Sequence, residues 1–110
     1  MDGGAVAASR ARVTTVWRRE DVIYAADPGA PEQALEKGRN PVVVLGPKGP
    51  LRAWETEGSI VMRSSAGAAI QVGRGRFAAF GAAPGGKGDV VLVWEDPEQG
   101  VMLRRASTGE

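Results

Sequence analysis

Short apolar runs separated by glycine- and proline-rich turns make up most of the chain. Residues 42–45 and 90–94 are apolar without interruption. A strand with one face in water alternates apolar and polar residues, so an uninterrupted run indicates a strand that is covered on both faces. The pattern predicts an all-β protein of short antiparallel strands joined by tight turns. Stacked sheets satisfy it best, and a simple β-sandwich core is the alternative.

A repeat of about 40 residues underlies this pattern. Two copies share a Gly-Arg start, an apolar run, a Lys-Gly turn, a strand that ends in Trp-Glu and a strand that ends in Arg. Trp54 and Trp94 mark these copies, and Trp17 marks a fainter one that precedes them. A period of this length is typical of propellers and related arrays. We expect one repeat domain, 1–110, with units at about residues 4–37, 38–72 and 73–110.

For residues 31–37, the local sequence and the repeat predict different secondary structures. Residues 31–37 begin with Pro31 and are followed by Gly38, the arrangement typical of a short helix. Their position in the repeat is that of an outer strand. The repeat argument favours a strand, and the sequence leaves the helix open.

Composition narrows the chemistry. The chain has 110 residues and a formal net charge of +1, which favours one modest domain and predicts attraction to neither nucleic acid nor membranes. It contains no Cys and no His, so disulfides are excluded and the commonest general base and metal ligand are missing. We therefore predict no cofactor and no metal. No basic start followed by a long apolar run is present at the N-terminus, so we expect a soluble chain without a signal peptide.

The third copy resembles a known type of repeat. Residues 86–109 are similar to a blade of a sialidase-like β-propeller with BNR (Asp-box) repeats, in which Gly, a strand, Trp, an acidic turn, a strand, Arg and a Ser-Thr-Asp-Gly box follow one another. The box is degenerate in all three copies: Asp27-Pro28-Gly29 follows Ala25 instead of Ser, Ser64-Ser65-Ala66-Gly67 lacks the Asp, and the last copy ends at Thr108-Gly109-Glu110. The resemblance implies antiparallel four-stranded blades, about three in this chain.

Propellers of this family usually close with six blades. An arc of three would expose the apolar flanks of its first and last blades, which soluble monomers rarely tolerate. We therefore predict a homodimer in which blade three of each chain meets blade one of the other, completing a six-bladed ring. The alternative is that the chain is a fragment of a longer product.

The resemblance also suggests where a ligand would bind. Arg39-Asn40-Pro41 is similar to the Arg-Ile-Pro motif that supplies a carboxylate-binding arginine in sialidases. Arg39, and Arg74 as its repeat counterpart, are the candidate ligand-binding residues, although both could be structural repeat positions. Trp17, Trp54 and Trp94 are predicted to pack between blades, with sugar stacking as the alternative.

No other sialidase residue can be carried over to this chain, so no catalytic residue is assigned. The predicted function is a non-catalytic binding or scaffold protein, with itself and a carbohydrate or protein as partners. The alternative is a part of a sialidase-type glycoside hydrolase.

Overall fold

The computed structural model describes residues 4–8, 12–27, 29–46, 49–64, 67, 69–82 and 89–107. Within these ranges, eleven strands form three antiparallel sheets. The first sheet contains β1 (Gly4–Ala8), β2 (Val13–Arg19), β3 (Val22–Ala26) and β4 (Gln33–Lys37). The second contains β5 (Arg39–Gly46), β6 (Gly49–Thr56), β7 (Ser59–Ser64) and β8 (Ile70–Arg74). The third contains β9 (Arg76–Ala82), β10 (Asp89–Asp96) and β11 (Gly100–Ser107).

Each sheet is a meander in which strands that follow one another along the chain lie side by side. The all-β prediction is confirmed, and the antiparallel pairing with it. The first strand of each sheet lies against the sheet before it: β5 packs on β1 and β2, and β9 packs on β5 and β6. Nowhere in the ranges above is there a helix long and apolar enough to cross a membrane.

The segment for which helix and strand were both open is a strand. Gln33–Lys37 forms β4, and Tyr24 pairs with Ala34 across the ladder. Leu35 packs against the core between the first two sheets. Strand pairing and this one half-buried side chain outweigh the local helix preference, which is worth only tenths of a kcal/mol per residue.

The same turn joins the second and third strands of the first two sheets. Glu20 and Asp21 have φ of 51° and 68°, and Glu57 and Gly58 have φ of 50° and 79°. Two consecutive residues with positive φ form the hairpin whose twist matches that of antiparallel strands. The chain thus uses one local solution at corresponding places in two sheets.

Two apolar layers hold the three sheets together. Val16 and Ile23 of the first sheet pack with Trp54 and Val61 of the second. The other side of the second sheet packs on the third through a larger cluster: Leu51, Ala53, Ile60, Met62, Ala78, Val90, Leu92, Trp94 and Ala106. The second sheet is therefore covered on both faces, which a two-sheet sandwich would not provide.

The two apolar runs differ in how they are covered. Val42 and Val44 contact the layer toward the third sheet, while Val43 contacts the layer toward the first. In β10, Leu92 and Trp94 are buried but Val91 and Val93 are only half-buried. The predicted turn at residues 47–48 and the degenerate boxes at residues 65–66 and 108–110 lie outside the described residues.

Candidate functional site

Each tryptophan lies on the second strand of its sheet, in β2, β6 and β10. Trp54 is fully buried against the first sheet, and its Nε1 donates to Oε1 of Glu36 in β4 at 2.6 Å. Gly38, which links the two sheets, packs so closely on the indole that a Cβ there would lie 2.6 Å from Cδ1 of Trp54. Glycine is required at this position because no other residue leaves that space to the ring.

The junction between the second and third sheets repeats this arrangement. Trp94 is 5% exposed, and its Nε1 donates to the carbonyl of Arg74 at the end of β8 at 3.0 Å. A Cβ on the linking residue Gly75 would lie 2.6 Å from Cδ1 of Trp94. Gly75 N donates to Gly58 O, as Gly38 N donates to Asp21 O, both at 2.9 Å. The linker glycine, the turn before it and the tryptophan form one repeated junction.

Trp17 occupies the same strand position, but no second sheet among the described residues packs on its side of the first sheet. Its ring stacks on that of Tyr24, with centroids 6.0 Å apart. The Cζ atom of Arg19 lies 4.2 Å from the centroid of the Tyr24 ring. Trp17 Nε1 is buried and has no hydrogen-bond partner among the described residues. Leaving a buried donor unpaired costs about 1–3 kcal/mol. The first sheet therefore has the tryptophan of a junction without a sheet that covers it among the described residues, and we call this the unfinished junction.

The outward faces of the first and third sheets are apolar. Val6 and Val13, on the Trp17 side of the first sheet, are 65% and 37% exposed. Val101 and Leu103 of β11 are 76% and 68% exposed, while Met102 between them packs inward. Side chains alternate along a strand, so both exposed residues lie on the face that points away from the second sheet.

A buried carboxylate joins the second and third sheets near the starts of their first strands. Glu55 is 8% exposed, and its Oε2 accepts from Asn40 Nδ2 and from the backbone N of Phe77, each at 2.8 Å. Asn40 and Phe77 are corresponding residues with φ of 50° and 56°. The corresponding carboxylate of the third sheet, Glu95, binds Arg76 at the surface instead.

The structure changes the repeat alignment of the candidate arginines. Arg39 pairs with Glu55 at the start of β5, and Arg76 pairs with Glu95 at the start of β9. Arg76, and not Arg74, is therefore the counterpart of Arg39, and the predicted match of Arg39 with Arg74 is wrong. Two Gly-Arg dipeptides follow each other in residues 73–76, and the ladder register selects the second one.

Arg74 is not among the residues that line the pocket described for Arg39. Arg39 and Arg76 line a pocket of about 360 Å³ together with Glu55 and Glu57. Arg74 is at the end of β8, with its Nη1 3.8 Å from Oε1 of Glu98. The role of Arg39 and Arg74 in ligand binding stays a prediction. The sequence analysis does not predict that Glu55 joins the second and third sheets. The Trp-Glu pair, which recurs in two copies of the repeat, is the signal that could have indicated it.

Nothing in the described part of the chain gathers three or more metal-ligating side chains. No family model, no curated protein and no solved structure matches the chain.

Proposed function

We propose that this protein is a non-catalytic binding platform of the sialidase-like β-propeller kind, assembled from two copies of the chain. The observation that carries the proposal is the unfinished junction at Trp17. Two junctions within the chain bury a tryptophan against the preceding sheet, and the third tryptophan meets none among the described residues. The third sheet of a second copy supplies the surface that Trp17 lacks.

Corresponding positions on the forward face of each sheet support this pairing. Ile23 and Ala25 of the first sheet are 0% and 3% exposed because the second sheet covers them. Ile60 and Met62 of the second are 0% and 4% exposed under the third. Ladder register places Val101 and Leu103 of the third sheet at the same positions, and they are 76% and 68% exposed. Because the corresponding residues of the other two sheets are buried under a neighbouring sheet, apolar residues at these positions predict that another sheet covers Val101 and Leu103 as well.

The head-to-tail nature of the proposed contact supports a ring of two copies. A contact between the third sheet of one chain and the first sheet of another is head-to-tail, and such contacts form rings when the rotation closes. Two copies contribute six sheets, so a closed ring contains two of these contacts. Each buried Val or Leu contributes about 1.5–3 kcal/mol. Two contacts form while the entropy of joining two bodies is lost only once, which favours the ring over a single contact.

A platform of this kind binds ligands where the first strands of its sheets meet. In this chain that region contains Arg39 and Arg76 at the starts of β5 and β9. The proposed ligand is a carbohydrate or a protein. Because the proposed ring contains two chains, it would contain two copies of Arg39 and two of Arg76.

Sedimentation velocity tests the proposal directly. We expect the chain to sediment at twice its 11.5 kDa mass at micromolar concentration. Leu103→Glu places a charge in the proposed contact and should give a folded monomer. Gln99→Glu adds the same charge in the exposed turn before β11 and should leave the dimer intact. A wild-type chain that stays monomeric, or two variants that behave alike, would contradict the proposal.

A further inference from the structure

A group of arginines lies between the first and second sheets, at the end remote from Arg39. Arg12 precedes β2, Arg52 lies in β6 and Arg63 in β7. They line a pocket of about 230 Å³ together with Asp27 and Gln33. Residues from four strands, two in each sheet, thus converge on one cavity, which the position of these arginines in the sequence does not reveal.

Arg52 and Arg63 face each other directly across the β6–β7 ladder. Like charges at directly opposite positions destabilise a sheet, and cross-strand partners normally carry opposite charges or apolar groups. The Arg52 side chain is only 13% exposed, so water screens little of this repulsion. A second negative charge in the pocket would remove the conflict.

Asp27 neutralises only part of the charge. Its Oδ2 accepts from Arg12 Nη2 at 2.9 Å, and its Oδ1 lies 3.9 Å from Arg52 Nη2. Hydrogen bonding from the Thr14 hydroxyl, and then from Arg12, holds the pKa of Asp27 below its ordinary value, so it is ionised at neutral pH. Three guanidinium groups against one carboxylate leave an excess of two positive charges among the charged residues that line the pocket.

The buried hydrogen-bonding groups are also incomplete. Arg52 Nη2 donates to Thr14 Oγ1 at 2.7 Å, but Arg52 Nε is buried with no partner among the described residues. Burial lowers the pKa of Arg52, and the charge of Asp27 opposes this while Arg12 and Arg63 add to it. Asp27 Oδ1 is likewise buried without a hydrogen-bond donor in the described part of the chain. The pocket lacks one acceptor for Arg52 and one donor for Asp27.

We infer that this pocket binds a small oxyanion, a carboxylate or a phosphate group, through Arg12, Arg52 and Arg63. The anion accepts from Arg52 Nε and places its charge between Arg52 and Arg63. A hydroxyl on the same ligand, such as the one that monohydrogen phosphate or a hydroxy acid carries, donates to Asp27 Oδ1. Guanidinium groups bind both kinds of oxyanion with short, charge-assisted hydrogen bonds. The pocket is contained in one chain, so the inference is independent of the proposed assembly.

The test is a titration followed by NMR at constant ionic strength, in which the Nε–Hε signals of arginine are observed. Inorganic phosphate and lactate are titrated separately, with chloride as the reference salt. We expect the Arg52 signal to shift and saturate with at least one of the two probes. Saturation with phosphate alone identifies a phosphate group as the ligand chemistry, and saturation with lactate alone identifies a carboxylate. No saturation with either probe would overturn the inference.

Two variants and a control show whether the pocket is responsible. Arg63→Gln and Arg52→Met each remove one charge from the pocket, and each should weaken binding of the active probe by about tenfold or more. Arg104→Gln removes an exposed charge from the third sheet and should leave binding unchanged. Should Arg52→Met fail to fold, Arg63→Gln decides alone. Equal binding by Arg63→Gln and Arg104→Gln would overturn the inference, since binding would then be non-specific.

Discussion

The junction at Trp54 and the open face at Trp17 show what a neighbouring sheet adds to the same strand position. Trp54 is fully buried and donates to Glu36, whereas Trp17 is half-buried and its buried Nε1 lacks a partner among the described residues. The difference does not come from the tryptophans, because both follow an apolar strand residue and precede the same kind of hairpin. It comes from the neighbouring sheet, which Trp54 contacts and which Trp17 lacks among the described residues. Within the chain, the tryptophan at this strand position is buried where a neighbouring sheet covers it.

The largest expected effect separates the two tryptophans. Trp54→Ala should lower the free energy of unfolding by about 3–5 kcal/mol, because it empties a fully buried site. Trp17→Ala should cost clearly less, since only part of its ring is covered. Urea denaturation measures both, on a Leu103→Glu background so that assembly does not contribute. Equal losses would mean that Trp17 is packed as completely as Trp54.

The linker glycine gives the next effect. Gly38→Ala brings a Cβ to 2.6 Å from Trp54 and 2.7 Å from the Glu55 carbonyl, and should lower stability by about 1–3 kcal/mol through overpacking. Gly81→Ala is the matched control, because nothing lies within 4 Å of the added Cβ. Its thermal midpoint should equal or slightly exceed that of the wild type. A stable Gly38→Ala protein would show that the junction is looser than described.

The two corresponding glutamates compare a covered position with an open one. Glu55→Ala leaves the Phe77 N–H without its acceptor inside a junction and should cost about 1–3 kcal/mol. Glu95→Ala breaks an exposed pair with Arg76 and should cost at most about 1 kcal/mol. Chemical denaturation of both variants measures the difference. A larger loss at Glu95 would indicate that its face is covered in solution.

The smallest expected effect concerns pH. Two backbone N–H groups, those of Glu98 and Gln99, donate to Asp96 Oδ1 and hold the pKa of Asp96 below its ordinary 3.8. The folded-state pKa is lower than the unfolded one, so the stabilisation is present above about pH 4 and is lost as pH falls through the folded value. Asp96→Asn should therefore lose less stability than the wild type between pH 5 and pH 3, roughly the range in which Asp titrates. Parallel thermal melts at the two pH values measure this, and identical slopes would contradict it.

Much of the fold follows from the sequence because the repeat is local. Tryptophan spacing and the glycine-rich turns predicted short antiparallel strands, and the sheets at residues 4–37, 39–74 and 76–107 consist of them. At Gln33–Lys37 the repeat favours a strand while the side chains favour a helix, and only pairing with β3 decides the conformation. The local sequence is enough to predict most strands, whereas the register between two strands can be known only when both are seen together.

The candidate sites were less predictable for the same reason. The Gly-Arg dipeptide predicts Arg74 as the counterpart of Arg39, but pairing with Glu95 makes Arg76 its counterpart. The Arg52–Arg63 pair across β6 and β7 depends on register, and its meeting with Asp27 depends on how two sheets stack. No spacing in the sequence encodes either contact.

The most direct test of the account is to observe the three indole N–H signals by NMR while the protein is diluted. We expect the Trp17 signal to move toward its Leu103→Glu position as the dimer dissociates, while those of Trp54 and Trp94 stay in place. A Trp17 signal that is independent of concentration, and identical in wild type and Leu103→Glu, would contradict the claim that a second copy covers the first sheet.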